Sequence, residues 1–160
     1  MRAALTVSML AAFVAVAPAA DLFAGTWKVV PAKSVNNWGQ KPAQNMTRTY
    51  TPTSNGAYDV KVDGVDGEGK AISTNLHAAG NVEVSTQNAT TQVVKMLGAT
   101  HVLSRRINDS KLVATYLKDG KALGTSTSTI SDDGRTLTMK LEGTSSDGKK
   151  LSGVNVYEKQ

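Results

Sequence analysis

One candidate for recognition chemistry is an arginine on a strand face that also looks apolar. In "NMTRTYT", Asn45 to Thr51, Arg48 shares a period-two face with Met46 and Tyr50. Carried inwards, a guanidinium must find a partner, and a ligand anion supplies one. Carried at an exposed strand end, it is simply solvated. Arg105 and Arg106 are adjacent, so a regular strand sends them to opposite faces. Arg105 shares its face with Leu103 and Ile107 and is the expected inward member. Tyr58, Tyr116 and Tyr157 either offer hydroxyls to a bound molecule or fill the interior.

Other chemistries find no residues. His77 and His101 are the only histidines, and neither sits in a cluster of Asp, Glu or Cys, so no metal site is expected. The absence of cysteine removes thiol catalysis, zinc-thiolate sites and disulfides. Every Asp after Asp21 except Asp59 falls in or beside a turn, where a local backbone hydrogen bond accounts for it. No ordered Ser-His-Asp set, phosphate loop or carboxylate pair stands out. The expectation is a protein that is not an enzyme, with no catalytic residue and no cofactor. The formal charge of +5 comes from 18 basic and 13 acidic residues. The basic residues are scattered, with only Arg105-Arg106 and Lys149-Lys150 adjacent, so no nucleic-acid partner is expected.

The elements that position these side chains are strands. "YDVKVD" alternates Tyr58, Val60 and Val62 with Asp59, Lys61 and Asp63, and "RTLTMKLE" alternates Leu137, Met139 and Leu141 with polar neighbours. Period-two patterning in Thr- and Val-rich segments predicts half-buried strands. Asp119-Gly120, Asp133-Gly134 and Asp147-Gly148 recur every 14 residues and read as hairpin turns joining four consecutive antiparallel strands. "DGVDGEGKA", Asp63 to Ala71, makes another hairpin upstream. "ATTQVVKMLG", Ala89 to Gly98, fits a helix or a strand. About eight to ten short-linked strands predict an all-β, closed, antiparallel up-and-down barrel, because closure removes exposed edges.

Ahead of the barrel, residues 1–20 read "MRAALTVSMLAAFVAVAPAA": one basic residue, a short apolar run, then small residues. This predicts a secretory signal peptide over residues 1–19 with cleavage after Ala19, and a barrel domain over residues 20–160. No cysteine lies near the cleavage site, so no lipid anchor and no stable membrane insertion are expected. The mature chain has a single-domain length and must fold on core packing alone.

"GTWK", Gly25 to Lys28, resembles the first strand of the lipocalin and fatty-acid-binding-protein (calycin) superfamily. "NVYEK", Asn155 to Lys159, resembles the closing strand of its fatty-acid-binding branch. With "FAGTWKVVPAKS" and "SDDGRTLTMKLEG", the chain is most similar to small secreted bacterial lipocalin-like proteins. The resemblance implies that Trp27 packs across one barrel end and that Gly25 lets neighbouring backbone approach. It also implies a small ligand held in the barrel. In the fatty-acid-binding branch an Arg-x-Tyr pair on the closing strand grips the ligand carboxylate. Tyr157 matches the tyrosine, but Asn155 stands at the arginine position and offers only neutral hydrogen bonds. Neutral apolar ligands should then bind about as well as fatty acids, unless Arg48 or Arg105 reaches the cavity.

The expected protein is a secreted or periplasmic monomer that binds a small apolar or amphipathic molecule. The candidate ligand residues are Arg48, Tyr58, Arg105, Tyr116, Asn155 and Tyr157, with Gly25 and Trp27 closing the barrel. The alternative is a filled barrel acting through its loops, such as an inhibitor of a secreted protease. "LGTSTSTI", Leu123 to Ile130, is polar on both faces, so the interior is either a wet cavity or no cavity. The empty volume inside the barrel separates the two readings.

Overall fold

The computed structural model describes residues 21–80, 83–85 and 92–160. The expected signal peptide and its cleavage site lie outside the described residues. Strands dominate: β1 (Gly25–Val29), β2 (Val35–Asn36), β3 (Asn45–Pro52), β4 (Ala57–Val65), β5 (Ala71–Ala79) and β6 (Glu83–Ser85) come first. After the helix α1 (Gln92–Leu97) follow β7 (His101–Asn108), β8 (Lys111–Lys118), β9 (Lys121–Ile130), β10 (Thr136–Thr144) and β11 (Lys150–Lys159).

All pairings are antiparallel, in the order β5-β4-β3-β1-β11-β10-β9-β8-β7-β6, with the two-residue β2 also on β11. The first and last long strands therefore meet in the middle of the sheet, Trp27 opposite Lys159 and Val29 opposite Tyr157. Right-handed strand twist curls a sheet of this width, and β5 comes to lie beside β7 and β8. Among the described residues no hydrogen-bonded ladder crosses that seam.

The Asp-Gly turns form as expected, by two mechanisms. Asp119 and Gly120 both have positive φ (49° and 73°) in a two-residue loop, the geometry that matches strand twist. At Gly134 and Gly148 only the glycine is left-handed. There a preceding serine and the aspartate tie the loop: Thr136 N donates to Ser131 Oγ at 2.9 Å, and Lys149 N to Ser145 Oγ at 3.0 Å.

Two apolar clusters fill the ends of the barrel. The lower one gathers Phe23, Trp27, Tyr50, Tyr58, Leu137 and Tyr157 with their neighbours. Trp27 is fully buried, and its Nε1 donates to the Phe23 carbonyl at 2.9 Å. Lys159 Nζ lies 5.0 Å from the centroid of its ring. Gly25 is needed for a different reason than the resemblance implied. The atom nearest its missing Cβ is Lys159 Cε at 3.4 Å, an ordinary contact, whereas its φ of +115° excludes side chains. The upper cluster packs Val94, Leu97, Ala99 and Leu151 against Trp38 and Tyr116. Within the ambiguous segment, Gln92–Leu97 is helix. Val94 and Leu97 fall on one helical face, and Gly98 (φ 67°) ends the helix while Ala99 N bonds to Val94 O.

Candidate functional site

Between the two clusters lies a cavity of about 430 Å³. β3, β4 and β5 contribute Met46, Arg48, Tyr50, Val60 and Leu76. β8 to β11 contribute Tyr116, Ser126, Ser128, Met139, Asn155 and Tyr157, and α1 and the loop before β3 close the top with Val93, Val94 and Trp38. The barrel is not filled. Its interior is also not purely oily, because the inward face of β9 carries Ser126 and Ser128, both buried.

Arg48 is the charged member of this lining. Period-two alternation on β3 sends it inwards with Met46 and Tyr50. Its Nη1 donates to Met139 Sδ at 2.9 Å, and a thioether is a weak acceptor. Its Nε is buried with no hydrogen-bond partner. The guanidinium carbon sits 5.8 Å from the centre of the Tyr157 ring. None of the ion pairs among the described residues includes it. Burial works against its charge, but Tyr157, Tyr50 and Tyr116, which pull on the guanidinium once they ionise at high pH, and a hydrogen bond with Tyr50 hold its pKa above the usual arginine value. Burial raises the pKa of Tyr116 and of Tyr157, so both remain neutral phenols beside the cation. The site is thus a protonated guanidinium with no counter-ion among the described residues, beside neutral phenol hydroxyls.

Asn155 and Tyr157 also border the cavity, Asn155 directly opposite Met139 on β10. Two expected ligand residues lie elsewhere. Arg105 is exposed, and it is Arg106 that turns inwards. The apolar face of Leu103 and Ile107 misleads here: Ile107 is 55 % exposed, and the register shifts between Arg106 and Asn108. The inward face of β7 is Val102, Ser104 and Arg106. Tyr58 is fully buried but below the cavity. Its hydroxyl donates to the Asp21 carboxylate at 2.7 Å, and Arg106 Nη1 reaches both Asp21 Oδ2 at 3.0 Å and Tyr58 Oη at 2.6 Å. Burial raises the Asp21 carboxyl, but the hydrogen bonds from Tyr58, Arg106 and the Phe23 amide outweigh it and hold its pKa low. This cluster plugs the floor and uses its own charges internally.

Tyr50, Trp38, Ser126 and Ser128 are lining residues that the sequence reading did not select. The polar alternation of β9 carried the signal for the serines, while Trp38 lies in a loop without periodicity. The ring of Trp38 covers Gly153, where a Cβ would come within 2.4 Å of it, and its Nε1 donates to Gln40 Oε1 at 2.9 Å. His77 pairs at the surface with Asp59, Nδ1 to Oδ1 3.1 Å. No group of three or more metal-ligating side chains occurs among the described residues.

No protein-family model matches the chain, and no curated protein matches it in sequence. Solved structures do. The fluorescent protein UnaG aligns with a TM-score of 0.58 at 18 % identity, over 86 % of this chain and 97 % of UnaG. Zebrafish ileal bile acid-binding protein, complexed with cholic acid, aligns with a TM-score of 0.49 at 10 % identity, over 87 % of this chain and 99 % of that one. A redesigned β-barrel aligns with a TM-score of 0.46 at 22 % identity, over 87 % and 92 %. At these identities the likeness to UnaG speaks for the fold alone. The chain has the curled antiparallel barrel fold of the lipocalin and fatty-acid-binding-protein group, which its first and last strands resemble in sequence.

Proposed function

We propose that this protein binds a small amphipathic molecule inside its barrel and holds the molecule's anionic group on Arg48. One observation carries the reading: a half-buried guanidinium, its Nε sealed without a hydrogen-bond partner and with no counter-ion among the described residues, faces an open cavity of about 430 Å³. Burying one member of an ion pair alone costs several kcal/mol, and an entering anion turns that cost into a charge-assisted pair. Arg48 thereby takes over, from β3, the role left vacant by Asn155 on β11. The expected indifference between acids and neutral ligands becomes a preference for acids.

Residues 1–19 support export, so the ligand is met in the periplasm or outside the cell. An N-terminus at Ala20 on the protein recovered from the cell envelope is the expected finding. The reading assigns no catalytic step and needs no partner chain.

The test titrates the mature protein with palmitic acid and with hexadecanol, at a pH where the acid is ionised. A preference for the acid above about 100-fold, or about 2.7 kcal/mol, is expected, and Arg48→Met should remove it. Equal affinities in the wild type, or no binding of either compound, would overturn the proposal.

A further inference from the structure

The cavity has two unlike walls. On one side β4 and β5 present Val60, Leu76 and Ala78. Across from them the inward positions of β9 are Ser126 and Ser128, 8 % and 7 % exposed. Cross-strand register places Ser128 between Leu112 and Met139, and Ser126 between Ala114 and Leu141. Their direct neighbours on both adjacent strands are therefore apolar side chains, among which only the Met139 thioether is a weak acceptor. Ser126 engages the Tyr116 phenol. Ser128 lies across the ladder from Met139, the residue that Arg48 touches. On β11, Asn155 brings an amide to the other side of Met139.

From this placement we infer that the ligand is a hydroxyl- or carbonyl-bearing amphipathic acid, polar along one flank, and not a plain alkyl acid. The inference rests on the anionic-ligand reading above and narrows it. A plain alkyl chain lying against β9 displaces water from the Ser128 hydroxyl and returns no hydrogen bond. A buried hydroxyl left in that state is penalised, whereas a ligand oxygen at the same place satisfies it. The opposite flank of the ligand meets Val60 and Leu76 and must be apolar. Acid function at Arg48, polar flank on β9 and apolar flank on β4 and β5 together define the class.

The experiment compares stearic acid with a set of its mid-chain hydroxy and keto derivatives, by calorimetric titration of the mature protein. At least one derivative is expected to bind about tenfold more tightly than stearic acid. In the Ser126→Ala/Ser128→Ala double variant that advantage should vanish while stearic acid binds as well or better. Removing two cavity hydroxyls leaves the backbone ladder intact, and a denaturant titration verifies that the variant folds. Arg48→Met should weaken all the acids alike and leave the ratio between derivative and parent unchanged. If every acid binds in an Arg48-dependent way but no derivative outdoes stearic acid, the polar-flank inference is overturned and the anionic-ligand reading stands. If no acid binds, or Arg48→Met binds them unchanged, both are overturned.

Discussion

At the residue scale, Arg48 trades stability for recognition. Its Nε lacks a partner, its Nη1 is spent on a thioether and no ion pair among the described residues includes it, so the folded protein carries a half-buried cation without a counter-charge. Exchanging such a charge for a well-packed apolar side chain is commonly neutral or stabilising. Arg48→Met is therefore expected to keep or raise the denaturant midpoint while it abolishes the acid preference. A variant that unfolds markedly earlier would show that the guanidinium is a structural group. Arg48→Lys keeps the charge but loses the planar fork, and only a fraction of the preference should survive in it. Asn155, exposed at the cavity edge, contributes a neutral amide. Its replacement by Ala should change affinity several-fold at most, the range of one neutral hydrogen bond.

At the scale of elements, three devices close the barrel ends. The first is Trp27 on β1. It is fully buried in the lower cluster, and Trp27→Ala should cost about 3–5 kcal/mol in a denaturant titration. A loss below about 1 kcal/mol would remove the closure role. The second is the floor cluster of Asp21, Tyr58 and Arg106. The folded pKa of Asp21 lies below its unfolded value of about 3.9, so the cluster's contribution is complete above that value and is lost as the pH falls through the folded one. Asp21→Asn should therefore flatten the loss of stability below about pH 4, read as thermal midpoints against pH. An unchanged acid limb would mean that the cluster is formed without the carboxylate. The third device is the Trp38 ring on Gly153 above the cavity. Gly153→Ala should push the indole off its seat and raise the quenching of its fluorescence by a small neutral quencher, read in a Trp27→Phe background. Three devices on three different segments explain how a chain without a disulfide holds a hollow interior.

At the scale of the whole molecule, the hydrogen-bonded path from β5 to β6 puts β1 and β11 at its centre. The first and last strands thus pair with each other at the centre, over Trp27 to Val29 against Tyr157 to Lys159, and β11 is tied over its length to β10, while the seam beside β5 carries no ladder among the described residues. Local opening concentrates where buried contacts and ladder bonds are few. Hydrogen exchange is accordingly expected to be slowest in β1, β10 and β11 and clearly faster in β5. Uniform protection across these strands would contradict a weak seam. The exchange pattern also bears on entry, because a ligand of the proposed size must pass an end or an edge of the barrel to reach Arg48.

The sequence alone determined the strands, the turns and the class of fold. These features are local: side-chain alternation has a period of two, and Asp-Gly takes up the φ angles that tight turns demand. "LGTSTSTI" also excluded a purely oily cavity, leaving a wet one or none, since a strand polar on both faces must turn hydroxyls inwards. What the sequence left open were the inward choices that depend on neighbours. Arg105 and Arg106 are equivalent by alternation; the bulge at Ile107 and the carboxylate of Asp21, 85 residues away from Arg106 in the chain, decided which turned in. Tyr58 and Tyr157 looked alike as inward phenols, yet one plugs the floor and the other borders the cavity, because only Tyr58 finds Asp21 within hydrogen-bond reach. Arg48 was legible as a candidate, but not as an unpaired one. That a cation has no counter-ion is a property of all the strands around it, and only their assembled packing decides it.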